Sequence, residues 1–157
     1  RKKFFDPQKQ PFLLLLDGIQ DVRNLGAIIR SAYCTGVDGI ILCKKNAAPV
    51  SASALKASAG LAERIEMYQA PSMPAVLQDL KKAGYHLYVA ALSKKANAFT
   101  TDYKKPLCLV IGSEGLGVSS AALKAGTVIT LPQKSTDVSY NASVAAGILL
   151  SLIAHQS

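Results

Sequence analysis

Three polar segments interrupt an otherwise apolar chain, and they contain the side chains best suited to chemistry. The segments run over residues 17–32, 109–119 and 131–143. Their candidate side chains are Asn24 and Arg30 in the first segment, Glu114 in the second, and Ser139 and Asn141 in the third. Open α/β sheets bind ligands at the carboxyl ends of their strands, and each segment lies at the end of a predicted strand. The sequence therefore predicts ligand-binding positions in all three.

Arg30 is the charged residue that the local sequence explains least. It lies six residues after Asn24, among alanines and isoleucines of a predicted apolar helix. An arginine in such surroundings either pairs with a carboxylate or contacts a phosphate or substrate, and both interpretations stay open. Asn24 can cap this helix, as Ser139 or Asn141 can cap the last one, and a cap is compatible with a role in a site.

The glycine-rich turn of the second segment has its own pattern. Gly112, Gly115 and Gly117 follow the order G-x-x-G-x-G, whereas a dinucleotide-binding turn reads G-x-G-x-x-G, and the sequence has no G-x-x-x-x-G-K-S/T run. A dinucleotide oxidoreductase and a P-loop hydrolase are therefore disfavoured. The two histidines, His86 and His155, lie outside the three segments, which leaves Ser-His-Asp chemistry without support. No cysteine and histidine spacing resembles a metal site, and we predict no metal.

Length and composition limit the class of protein. The chain has 157 residues, of which 50% are hydrophobic and 18% charged, and this indicates one folded domain rather than a disordered segment. Its longest apolar run, Val144 to Ala154, is far shorter than the roughly 20 residues that cross a bilayer. The formal charge of +8 favours a polyanionic partner, most simply nucleic acid. Five dilysines carry much of that charge, at 2–3, 44–45, 81–82, 94–95 and 104–105.

Short apolar runs alternate with helical patterns along the chain. This alternation predicts an α/β fold with a mostly parallel six-stranded sheet and helices on both faces. The predicted strands are 12–16, 39–43, 64–68, 87–91, 107–112 and 127–131. The predicted helices are 25–35, 51–59, 74–83, 119–124 and 141–155. Gly36 and Gly84 are expected to end helices, and Pro74 is expected in a first helical turn.

The chain is interpreted as one domain, residues 12–157, preceded by a linker remnant, residues 1–11, and cut from a longer cytosolic protein. Its three cysteines, Cys34, Cys43 and Cys108, are expected to be buried free thiols in a reducing compartment. The last helix has almost no polar face, and it must be covered either inside the fold or by a partner subunit. A homodimer follows as a hypothesis.

In this order and spacing, the three segments resemble the motifs of the SpoU (TrmH-like) branch of the SPOUT RNA methyltransferases. The first motif, N-x-G-A-x-x-R-S-A, is complete at 24–32, and the second, G-x-E-G-x-G, is complete at 112–117. The third, I-P-M-x-G-x-x-x-S-L-N-V-S-V-A, is met in part at 131–145. Its Met, Gly, Leu and Val are replaced by Gln133, Ser135, Tyr140 and Ala142. The resemblance covers nearly the whole chain.

The resemblance implies a homodimeric α/β protein with a deep trefoil knot near the C-terminus, which agrees with the cytoplasmic location expected above. It implies S-adenosylmethionine as cofactor and methyl transfer to a ribose 2′-hydroxyl of ribosomal or transfer RNA. An added N-terminal domain often recognises the RNA in this family. By position, the residues implied at the cofactor are Ala91, Leu92, Gly112, Leu131 and Tyr140.

The same resemblance assigns roles to the polar residues. Arg30 would activate the hydroxyl electrostatically and position a phosphate. It would not act as a general base, because an arginine is very hard to deprotonate. Asn24 would orient the ribose, and Glu114 would fix its loop or Arg30. Ser139 and Asn141 would hold hydroxyl or cofactor groups. Two alternatives stay open: a non-catalytic RNA-binding or assembly protein whose altered third motif no longer holds the cofactor, and a methyltransferase that modifies a base nitrogen.

Overall fold

The computed structural model describes residues 6–43, 60–91, 96–112, 118–135 and 137–156. The strands in these ranges are β1 (Phe12–Asp17), β2 (Gly39–Cys43), β3 (Glu66–Ala70), β4 (His86–Ala90), β5 (Leu107–Gly112) and β6 (Thr127–Ile129). The helices are α1 (Val22–Cys34), α2 (Met73–Lys82), α3 (Ser120–Ala125) and α4 (Ala142–Gln156). Short 3-10 turns occupy Pro7–Lys9 and Leu61–Glu63. The helix predicted over 51–59 lies outside the described residues.

The six strands form one parallel sheet in the order β3-β2-β1-β5-β4-β6. β1, β2 and β5 are runs of leucine, isoleucine and other apolar residues that are buried on both faces, as a parallel sheet covered by helices requires. The direction of strand addition reverses between β1 and β5, whose last residues, Asp17 and Gly112, are paired. The predicted six-stranded parallel sheet is confirmed.

Helices cover both faces of this sheet. On one face α1 and α4 pack against the sheet and against each other, through Ile28, Ile29, Leu149, Leu150 and Ile153. On the other face α2 and α3 pack through Val76, Leu77, Leu80 and Ala122. The core therefore consists of two apolar layers, one on each side of the strands.

The helix starts follow local capping chemistry, with one correction. Asp21, rather than Asn24, caps α1, because its carboxylate accepts hydrogen bonds from the backbone N–H groups of Arg23 (2.8 Å) and Asn24 (3.2 Å). α1 consequently begins at Val22, and Asn24 lies inside its first turn. Pro74 lies in the first turn of α2, as predicted.

Most other boundaries agree with the sequence within one or two residues. Gly36 and Gly84 follow α1 and α2 in the left-handed region, with φ of 82° and 93°. β3 begins at Glu66, two residues later than predicted, because Arg64 closes the preceding 3-10 turn, where its backbone N–H donates to the carbonyl of Leu61 (2.9 Å). Its guanidinium lies 4.9 Å from the centre of the Tyr33 ring on α1.

The cysteines divide into two kinds. Cys43 in β2 and Cys108 in β5 are buried, as expected, and burial raises the pKa of the Cys108 thiol. Cys34 is exposed, so the expectation of burial is wrong for this residue. It is the last residue of α1, on the outer side of the helix.

The apolar helix α4 is only half covered by the elements described. Ala146, Leu149 and Leu150 are buried in the core, whereas Val144 is 50% exposed. The outward side of α4 and Ser31 of α1 line an open groove of about 740 Å³. Neither α4 nor another helix in the described ranges is long and apolar enough to cross a membrane.

Candidate active site

The carboxyl edge of the sheet brings together residues that are far apart in the sequence. Gly112 ends β5, Ala91 directly follows β4, and Leu131 follows β6 by two positions. Because β4 lies between β5 and β6, these three residues stand at the ends of three adjacent strands. The sheet thus gathers three of the five residues that the resemblance places at the cofactor.

Thr130 fixes the backbone at this edge. Its hydroxyl donates to the carbonyl of Ala91 (2.9 Å), and its backbone N–H donates to the carbonyl of Ala96 (2.7 Å). Its own carbonyl accepts from the N–H of Ala98 (2.9 Å). β6 ends at Ile129, two residues earlier than predicted, and Thr130 instead pairs with Asn97 as an isolated bridge. The backbone on both sides of the edge is therefore held in place before any ligand binds.

Asp17 is a residue of this edge that the sequence reasoning did not select. Its Oδ2 accepts a hydrogen bond of 2.7 Å from the backbone N–H of Ser119, the N-cap of α3. The glycine-rich segment starts at Gly112 and leads to Ser119, so Asp17 fixes one end by strand pairing and the other by this bond. The available signal was its position as the first polar residue after the apolar run of β1.

The third polar segment is organised by Gln133, one of the residues that depart from the family motif. Its Nε2 donates to the carbonyl of Ser135 (3.0 Å) and to that of Val138 (2.7 Å). A methionine could donate neither bond. The altered residue therefore has a structural role within its own loop.

Asn141 caps α4, which confirms one of the two predicted caps. Its Oδ1 accepts from the backbone N–H (2.9 Å) and the hydroxyl (2.6 Å) of Ser143. The carboxamide oxygen is therefore occupied by the helix cap, whereas the amide nitrogen makes no hydrogen bond to the described residues. Ser139 and Tyr140 directly precede the cap, and both are exposed, Tyr140 by 42%.

Asn24 and Arg30 both lie on α1 but at different distances from the strand edge. Asn24 is half-buried in the first turn, next to the loop that follows β1, whereas Arg30 is exposed and lies about 9 Å farther along the helix axis. Within the described ranges, the guanidinium of Arg30 makes neither an ion pair nor a hydrogen bond. The structure does not join it to the edge residues by a direct contact.

Two predicted site residues lie outside the described part of the chain. These are Glu114 of the second motif and Leu92, and the same holds for Gly115 and Gly117. The described ranges contain no group of three or more histidine, cysteine or acidic residues that could hold a metal ion.

The sequence motifs and the parallel sheet correspond to one protein family. The model of the SpoU rRNA Methylase family matches residues 11–151, and the chain belongs to this family. The resemblance drawn from the three motifs is confirmed.

Curated and solved relatives agree with this assignment. The chain is 34% identical over 141 residues to a 23S rRNA (guanosine-2′-O-)-methyltransferase of Shewanella oneidensis, covering 89% of this chain and 57% of the relative. An AdoMet-bound rRNA methyltransferase from Sinorhizobium meliloti superposes with a TM-score of 0.87 at 29% identity, covering 97% of this chain and 59% of that one. The SpoU methyltransferase AviRb of Streptomyces viridochromogenes, in complex with AdoMet, gives 0.85 at 27% identity, with coverages of 94% and 60%. The chain spans 37% and 59% of the length of two further curated relatives.

Proposed function

We propose that residues 12–157 are the catalytic domain of an S-adenosylmethionine-dependent methyltransferase that modifies a ribose 2′-hydroxyl of ribosomal or transfer RNA in the cytoplasm. The observation that carries the proposal is the alignment of Ala91, Gly112 and Leu131 at the ends of three adjacent strands. The Shewanella relative, named for guanosine 2′-O-methylation, supports the ribose as the target.

The residues at the edge suit this cofactor. Gly112 and Ala91 are small and leave room at the ends of two strands, while the partly buried Leu131 offers an apolar wall. Tyr140 is exposed and can stack on an adenine ring, with its ring in place of the family's leucine. These four residues, with Leu92, would hold the cofactor. When bound, S-adenosylmethionine supplies an electrophilic methyl group on a cationic sulfur.

The polar residues would prepare the RNA hydroxyl. A ribose 2′-hydroxyl is a poor nucleophile at neutral pH, so it needs alignment and help in losing its proton. Arg30, which has no internal partner among the described residues, would hold a phosphate and stabilise negative charge on the hydroxyl oxygen. Asn24 would orient the ribose, Ser139 and the amide nitrogen of Asn141 would hold hydroxyl or cofactor groups, and Glu114 would fix its loop or Arg30.

The functional unit would be a homodimer formed through α1 and α4. The uncovered side of α4 is apolar at Val144, Ile148 and Leu152, and the same groove includes Ser31 of α1. Association of two copies there would remove this apolar surface from water. The partner subunit would then contact Ser31, the residue that follows Arg30. Both subunits would therefore lie close to the site of methyl transfer.

The C-terminal trefoil knot remains part of the proposal. β6 is the edge strand of the sheet and lies beside β4. The helix that follows it, α4, has its main contacts with α1 and β5, nearer the middle of the sheet. The intervening residues start at the carboxyl end of β6, which supports a return of the chain across the ends of β4 and β5.

Calorimetric titration with S-adenosylmethionine and S-adenosylhomocysteine tests the cofactor site without requiring the right RNA. Micromolar binding of both is expected. A folded protein that binds neither would contradict the proposal and favour the non-catalytic RNA-binding protein.

Arg30→Ala separates chemistry from cofactor binding. We expect methyl transfer to fall by at least about 100-fold, the range for loss of one group that stabilises developing charge, with cofactor affinity nearly unchanged. Transfer is measured with radiolabelled cofactor, and affinity by calorimetry. Lost cofactor affinity with unimpaired transfer would overturn the assignment of Arg30.

A further inference from the structure

A second groove, on the face of the sheet opposite α1 and α4, has a different chemical character. It lies between α2 and α3 and measures about 430 Å³. Pro74, Ala121 and Ala125 contribute apolar surface. Lys81, Lys82 and Lys124 contribute three exposed ammonium groups. The groove thus combines an apolar floor with a cationic rim.

No acidic side chain is among the described residues that line this groove. α3 contains no acidic residue, and the single carboxylate of α2, Asp79, does not line the groove. Lysine stems can lie along the apolar floor while their ammonium groups stay in water. Such a surface complements a chain of phosphates, because it can contact the apolar parts of the backbone and neutralise its charge.

The position of these lysines sets them apart from the candidate active site. Lys82 ends α2 just before β4, and Lys124 is next to last in α3, just before β6. Both helices therefore deliver their lysines to the amino end of two adjacent strands. The cofactor residues occupy the carboxyl end, about 16 Å away across the five residues of β4.

We infer that the groove between α2 and α3 is a second contact surface for RNA, which binds the phosphate backbone without reading its sequence. The inference rests on the proposed function, since it takes RNA as the substrate. Only an RNA that extends about 16 Å or more from the target ribose reaches both surfaces. RNA fragments too short to cover this distance are therefore expected to bind more weakly than full transcripts.

The test is the triple variant K81Q/K82Q/K124Q in an RNA-binding titration from low to high salt. The probes are unmodified transcripts of 23S ribosomal RNA and of transfer RNA. Three lost phosphate contacts should lower the slope of log affinity against log salt by about 2 to 3. Affinity at low salt should fall at least about 10-fold, with S-adenosylmethionine affinity unchanged.

A matched control removes the same charge elsewhere. K9Q/K104Q/K105Q also lowers the net charge by three, at exposed lysines that do not line the groove. A much smaller loss of affinity is expected in this control. Equal losses in the two triple variants would show a general effect of net charge and would overturn the inference.

Chemical acetylation of the wild-type protein gives a second readout that does not depend on folded variants. RNA should protect Lys81, Lys82 and Lys124 from the reagent, as detected by mass spectrometry of peptides. Unchanged reactivity in the presence of bound RNA would overturn the inference. Failure of the wild-type protein to bind any RNA would instead contradict the proposed function.

Discussion

The two helical layers of this protein differ in the chemical character of the surface that they expose. α1 and α4 leave a largely apolar groove with space beside Gly147, whereas α2 and α3 pack closely on the sheet and present lysines to solvent. One sheet thus supports an apolar face suited to a second copy of the chain and a basic face suited to a polyanion. The two strand ends differ likewise, since the candidate cofactor residues Ala91, Gly112 and Leu131 lie at the carboxyl end, whereas the lysines of the second groove lie at the amino end. Three pairs of variants test these contrasts.

The largest effect is expected from two glycine substitutions, one in each layer. A Cβ at Gly126 would lie 2.6 Å from the Cβ of Leu87 and would also collide with the Leu87 carbonyl oxygen. We expect Gly126→Ala to lower the free energy of unfolding by about 3 kcal/mol, because rigid strand backbone must move. At Gly147 the nearest atom, Ser31 Oγ, would be 3.5 Å away, an ordinary contact. Gly147→Ala should change stability by about 1 kcal/mol or less, in the stabilising direction.

Urea unfolding of both glycine variants provides the measurement. Similar stability changes in the two proteins would contradict the difference in packing between the layers.

The next effect concerns association through the apolar face. Val144 and Leu123 are both exposed apolar residues on helices, with exposed fractions of 50% and 41%. Val144→Lys should weaken the dimer by about 2 to 3 kcal/mol, or roughly 30- to 150-fold in dissociation constant, because it places an unpaired charge in the interface. Leu123→Lys should leave the dimer intact, since it lies on the other face.

Sedimentation equilibrium at several concentrations reports both dissociation constants. A wild-type protein that is monomeric at micromolar concentration would refute the dimer, and dissociation by Leu123→Lys instead of Val144→Lys would refute its location.

The smallest effect is expected from substitutions of two aspartates, Asp17 and Asp38, which bond to the backbone at opposite ends of β1. Asp17 accepts a backbone hydrogen bond from Ser119 at the carboxyl end (2.7 Å), and Asp38 accepts one from Phe12 at the amino end (2.8 Å). Alanine at either position should cost about 1 to 3 kcal/mol of stability, because a backbone N–H loses a charged acceptor. Of the two variants, Asp17→Ala should also weaken S-adenosylmethionine binding, because the bond from Asp17 fixes one end of the glycine-rich segment and the bond from Asp38 does not.

Calorimetry of the Asp17 and Asp38 variants, with unfolding curves for both, distinguishes the two ends. Equal cofactor affinity in the two variants would show that Asp17 contributes to stability alone. Recovery of affinity in Asp17→Asn, which keeps an oxygen acceptor, would support its role in positioning.

Much of the fold was predictable because its strands are uninterrupted apolar runs. The bounds of β2 and β5 agree with the prediction, since Gly39 and Gly112 mark clear changes of residue type. The start of β3 was misplaced because a 3-10 turn at Leu61–Glu63, closed by the backbone N–H of Arg64, lies just before the strand, and the sequence pattern did not predict that turn. The cap of α1 was misassigned because Asp21 and Asn24 are both good caps, and local sequence does not choose between them.

The candidate site was predictable in its residues but not in its arrangement. The resemblance selected Ala91, Gly112 and Leu131 by their positions, yet the strand order that makes them neighbours depends on tertiary packing. The hydrogen bond from Ser119 to Asp17 joins residues 102 positions apart, and no local pattern signals it. Likewise, Gln133 reads as a departure from the motif, whereas in the structure it bonds to two carbonyls of its own loop.

The most direct test of the central claim is the identity of the methylated nucleoside. The protein is incubated with unmodified 23S ribosomal and transfer RNA transcripts and with cofactor that carries a deuterated methyl group, and the digested RNA is analysed by mass spectrometry. The account predicts a labelled methyl group on ribose, retained on the sugar when the glycosidic bond is cleaved. A label on the base, or none at all with a protein that binds the cofactor and both RNAs, would contradict it.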